Sequence, residues 1–109
     1  MRRDHYRAHL LDLPFDQPFD WEAKVLDLKG DRLTLSQLRK IGEPKVYATH
    51  LNFSMNKLRC SPKDQLRKGV AVYFSARPSA YIKNGVRRGS LAQDINDPIM
   101  LKFKKDEND

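Results

Sequence analysis

"FDWEAKVLDLKGDRLTLSQL", residues 19–38, is the stretch whose reading decides the fold. Phe19, Trp21, Ala23 and Val25 alternate with Asp20, Glu22 and Lys24. A period of two is the signature of a half-buried strand with one apolar and one polar face. Leu26 and Leu28 then fall on the opposite parity, so a β-bulge near Val25–Leu26 is expected, and it would bend the strand. "KGD" (29–31) reads as a tight turn. In "RLTLSQL", Leu33 and Leu35 point inward while Arg32, Thr34 and Ser36 point outward. The stretch therefore predicts a hairpin with a bent first strand.

The rest of the chain extends this pattern. "RKIGEPK" (39–45) is a loop punctuated by Gly42 and Pro44. "VYATHLNFSM" (46–55) predicts a third strand, with Leu51, Phe53 and Met55 on one face and His50, Asn52 and Ser54 on the other. Strict alternation puts Tyr47 with the core set, and only a bulge would turn it outward. "CSPKDQLRKG" (60–69) predicts a two-turn helix over 61–68. Ser61 is its cap, Pro62 its first position, Asp64 lies in its first turn, and Gly69 ends it. "VAVYFSA" (70–76) and "IMLKFKK" (99–105) predict a fourth and a fifth strand. The expected core is Val25, Leu33, Leu35, Leu51, Phe53, Val72, Phe74, Leu101 and Phe103, with Trp21 also inward. Two "PFD" triplets, at 14–16 and 18–20, make an extended lead-in. Residues 1–13 are open between a short helix and a loose basic arm, and 106–109 form an acidic tail.

Strand, strand, strand, short helix, strand, long connection, strand: this order resembles the OB-fold nucleic-acid-binding superfamily. That fold is a five-stranded Greek-key barrel with a helix between its third and fourth strands. The resemblance covers residues 19–105 and rests on the element order, the bulged first strand and the step "LRKGVAVYF" (66–74). It implies an all-β fold. An SH3-like or Sm-like barrel gives a similar string, and residues 1–13 could supply the leading helix of the latter.

At 109 residues one domain is expected. One cysteine, Cys60, excludes an internal disulfide and any multi-cysteine zinc site. No apolar run is long enough to span a membrane. The reading is a soluble intracellular protein, cytoplasmic or associated with a nucleoid or nucleus. Net charge is +7, but residues 36–93 hold twelve basic groups and only two acids, Glu43 and Asp64. Such segregation fits a polyanionic partner.

Catalytic patterns are missing: there is no phosphate-cradling glycine loop, no dinucleotide fingerprint and no HExxH. His5 and His9, four apart, could share a helix face, yet no third ligand lies near them in sequence. Cys60 reads as a half-buried thiol, and the acids near the first strand imply no acid–base pair. The expectation is no enzyme, no metal and no cofactor.

Binding is the better reading. "ARPSAYIKNGVRRGSLAQDINDP" (76–98) carries Arg77, Lys83, Arg87 and Arg88 and no acid until Asp94. It also holds Tyr81 and an Asn84–Gly85 turn signal. Long connections in small domains are uncommon and usually functional or disordered. The OB resemblance implies a groove across the second and third strands, flanked by the connections between strands one and two and between strands four and five. The expected contacts to a single strand of DNA or RNA are Lys45, Tyr47, His50, Asn52, Lys57 and Arg59, together with Arg77, Tyr81, Lys83, Arg87 and Arg88 on an arm over 77–93. Cations would meet phosphates and rings would stack on bases. The alternative is a protein-interaction subunit docking onto a larger nucleoprotein assembly. Ten aromatics with few in outward register, Tyr73 and Tyr81 and, only with a bulge, Tyr47, keep that alternative open.

Overall fold

The structure, a computed structural model, describes residues 8–60, 66–94 and 96–103. It is all-β: a curled six-stranded sheet and a separate two-stranded hairpin. The strands are β1 (Phe19–Lys29), β2 (Arg32–Lys40), β3 (Leu51–Ser54), β4 (Leu58–Cys60), β5 (Ala71–Ala76), β6 (Pro78–Lys83), β7 (Val86–Leu91) and β8 (Ile99–Phe103). The large sheet has the order β3-β2-β1-β5-β8-β4, and β6 pairs with β7. β4 runs parallel to β8, and the other pairs are antiparallel. The two edge strands, β3 and β4, are joined by a single 3-10 turn, Met55–Lys57.

β1 has the expected bulge. Val25 pairs with Leu35 and Asp27 with Thr34, so Leu26 is the extra residue. Parity switches there: Leu28 packs on the core and Leu26 is exposed. A second irregularity lies on β2, where Gln37 takes φ 55° between the Lys24–Ser36 and Glu22–Arg39 pairs. It shifts the inward register from Leu33 and Leu35 to Leu38, and all three are fully buried. Two bulges on opposite strands of one hairpin increase its bend and twist.

Eight of the nine residues expected to line the core are buried, and Phe103 is half-buried against them. Trp21 lies at the centre. Its ring meets Tyr47 edge-on at 5.4 Å, and its indole N–H donates to the carbonyl of Ala76 at 3.0 Å. Phe53 and Phe74 meet edge-to-face at 5.7 Å. That arrangement aims ring edges at ring faces and adds to plain burial.

Three expectations need correction. The five strands become eight among the described residues. The third is shortened and split: 46–50 pairs with the sheet through the isolated Leu38–Ala48 bridge, and the 3-10 turn divides the remainder into β3 and β4. The chain at 77–93 is not a loop but the β6–β7 hairpin. Tyr47, expected among the contacts only if bulged outward, stays in the core where alternation puts it, 7% exposed. The bridge causes this, because Tyr47 donates its N–H to Leu38 O at 2.7 Å while Leu38 donates to Ala48 O. Of the expected helix at 61–68, residues 61–65 lie outside the described residues. Leu66 and Arg67 belong to no regular element, and Gly69 takes φ 85° in a turn. At the N-terminus Ala8–Asp12 is a 3-10 turn; residues 1–7 and the acidic tail lie outside the described residues.

Truncating Phe74 to alanine should cost about 3–5 kcal/mol in urea unfolding, as for other buried aromatics. Trp21→Phe keeps most of the ring but strands the Ala76 carbonyl, adding about 1–3 kcal/mol. Wild-type stability in both variants would mean that this register is wrong.

Candidate nucleic-acid interface

The hairpin is built from its turn outward. Asn84 and Gly85 both have positive φ, 53° and 75°, between the paired residues Lys83 and Val86. Two left-handed positions define the tight turn that Asn-Gly favours, because its twist matches that of the flanking strands. Cross-strand pairs Tyr81–Arg88, Ile82–Arg87 and Ala80–Gly89 follow down the ladder. At the base, Ala92 donates its N–H to Arg77 O at 2.8 Å, and Pro78 and Leu91 are buried. The 3-10 turn Ala8–Asp12 packs on both strands, and its Leu10 joins Leu91 in the core cluster. The base is therefore part of the core, while the tip stands in solvent.

Exposed groups run along the hairpin, from Arg77 at its base to Tyr81, Lys83 and Arg87 toward its tip. Arg77, Lys83 and Arg87 are exposed, Tyr81 is 39% exposed, and Arg88 is half-buried. Arg87 holds its guanidinium 5.7 Å from the centre of the Phe15 ring. Among the described residues the ion pairs are His9–Asp12, Arg39–Glu22 and Lys68–Asp27. The central basic block is thus partly matched by acids from β1, whereas Arg77, Lys83 and Arg87 face no carboxylate at that range.

A second group lies beside the hairpin's return. Lys29, Asp31, Arg32, Asn52, Phe53, Ser54 and Gln93 line a cleft of about 660 Å³. Gln93 fixes this juncture. Its Oε1 accepts from Ser54 N–H at 3.0 Å, and its Nε2 donates to Ser54 O at 3.2 Å. One side chain thereby occupies both main-chain groups of an edge residue, as a neighbouring strand would. Thr34 Oγ1 donates to Asn52 Oδ1 at 2.8 Å, which leaves the Asn52 amide NH2 as its donor toward the cleft. The cleft can offer two cations, amide donors and one carboxylate, Asp31.

The residues expected from sequence are divided by this geometry. Arg77, Tyr81, Lys83, Arg87 and Arg88 share the hairpin, and Asn52 lines the adjoining cleft. His50 is exposed just before β3. Lys45 is exposed but holds its ammonium 5.0 Å over the Tyr47 ring. Lys57 is half-buried in the 3-10 turn, and Arg59 points outward from β4 beside Met100 of β8. Tyr47 offers no ring face to a base. Lys29, Arg32 and Gln93 were missed: the first two flank a turn read only as minimal, and Gln93 meets a partner 39 residues away.

The chain matches no protein family, no curated protein and no solved structure.

Gln93→Ala should speed amide exchange at Ser54 roughly two- to tenfold, the equivalent of one ordinary hydrogen bond. Amides of the β1–β5 ladder should keep their protection. Unchanged exchange at Ser54 would show that Gln93 is not the clamp.

Proposed function

We propose that this chain is a single-stranded nucleic-acid-binding module of the OB type. One observation carries the reading: at the hairpin tip Lys83 and Arg87 pair with no carboxylate among the described residues, Tyr81 lies one pair below Arg87 on the ladder, and the hairpin's return is held by Gln93 beside a second cationic cleft. Phosphates need the former and bases the latter kind of group.

The strand order supports the barrel type. If 51–60 is counted as one strand interrupted by a 3-10 turn, the large sheet has five members. The first pairs with the second and fourth, and the fifth pairs with the fourth and, in parallel, with the third. On that reading the cleft lies where the second and third strands meet the first connection, and the β6–β7 hairpin is the connection between strands four and five. The two would form one track. Its contacts are mostly to phosphate, from Arg77, Lys83, Arg87, Lys29 and Arg32, with Tyr81 stacking on a base.

Affinity for an oligonucleotide should fall as salt rises, with a logarithmic slope near −0.7 per phosphate contact. Replacing Arg77 and Lys83 together by alanine should flatten that slope by about 1.4 units. Tyr81→Ala should weaken binding by about 1–3 kcal/mol and leave the slope nearly intact, since stacking is not an ionic effect. If neither variant differs from wild type, the hairpin is a docking element for a protein partner.

A further inference from the structure

Ile82 is 76% exposed, the most exposed of the large apolar residues described. It lies on the second pair from the hairpin turn, opposite Arg87. A long arginine stem often covers an apolar neighbour across a strand pair. Here the Arg87 guanidinium is drawn to the Phe15 ring, 5.7 Å away, and Ile82 remains bare. Folding gains little from this residue, because three-quarters of it stays exposed. It stands beside Lys83 and across from Arg87, in a segment with no acid from 77 to 93.

We propose that Ile82 is a wedge that enters between two neighbouring bases of the bound strand and parts their stack. The inference rests on the nucleic-acid reading above and adds what the tip does once bound. An apolar group flanked by cations matches a nucleic acid in cross-section, with an apolar stack of bases bordered by phosphates. Apolar side chains inserted between base steps unstack them at a cost offset by the added contacts. Ile82 is suited to this by stiffness, since a β-branched side chain has little χ1 freedom to lose. The support is rigid as well: a two-residue turn above it, and Pro78 and Leu91 buried at the base below it. Tyr81 alternates to the other face of the ribbon, so stacking and wedging are separate tasks of adjacent residues.

The test uses the full chain and an oligo-adenine strand carrying one internal 2-aminopurine, whose fluorescence rises when it unstacks. Wild-type protein should bind with a salt-dependent affinity and raise the emission. Ile82→Ala should keep the salt slope and lose the rise, and Ile82→Val should retain it. An exposed position tolerates both changes, and an unaltered urea midpoint checks this. Binding without any emission rise, or a rise that survives in Ile82→Ala, overturns the wedge and leaves the nucleic-acid reading standing. No binding of the strand by wild-type protein overturns both and assigns the bare isoleucine to a protein partner.

Discussion

The hydrogen bond from the Trp21 indole to the Ala76 carbonyl is the constraint on which the rest depends. Ala76 is the last residue of β5, paired there with Phe19 at the start of β1. Burying an indole N–H without a partner is costly, as is burying a carbonyl without one. The two are satisfied by one another, inside the core. That bond fixes the point at which β5 leaves the sheet. Arg77 follows, and Pro78, which has no N–H to donate, opens β6. The origin of the hairpin is thus set by the largest side chain of the core.

A gradient of burial then runs along the hairpin. Its base contributes Pro78 and Leu91 to the interior and is braced by Leu10. Its middle, Ala80 and Gly89, is small, with Gly89 buried, and its tip is charged and exposed. Rigid bases with polar tips are how small domains project binding groups without paying to order them on contact. The surface adjoining the hairpin's root differs in kind. A cleft of about 830 Å³ over β5 and β8 mixes Asp20, Asp94 and Asp97 with Arg77 and Lys102 around Tyr73 and Met100. Its carboxylates oppose an anion, and Arg77 stands at the border between this cleft and the hairpin.

Much of this was legible in the sequence where the signal is local. Alternation from Phe19 to Val25 gave a strand, the parity change at Leu26 gave its bulge, and Asn84–Gly85 marked a turn. The second bulge left a weaker trace in the spacing of Leu33, Leu35 and Leu38, because Gln37 is not a residue type associated with positive φ. The hairpin was hidden for a physical reason. Its strands are half small or polar, with Ser79, Ala80, Gly89 and Ser90 at their middle, so no apolar alternation announces them. Tyr47 shares the parity of the core, and the Leu38–Ala48 bridge and the Trp21 ring keep it there. Most distant of all from sequence reasoning is the Gln93–Ser54 clamp, which decides where the hairpin meets the cleft. The OB resemblance, drawn from element order, stays a proposal.

The most direct measurement is a titration of isotope-labelled full-length protein with a short oligo-thymidine strand at low salt, followed by amide chemical shifts. The account predicts the largest changes at residues 80–88 on the hairpin tip, with a second group at 29–32, 52–54 and 93. Changes centred instead on Tyr73, Met100 and Lys102, or none at saturating strand, would contradict it.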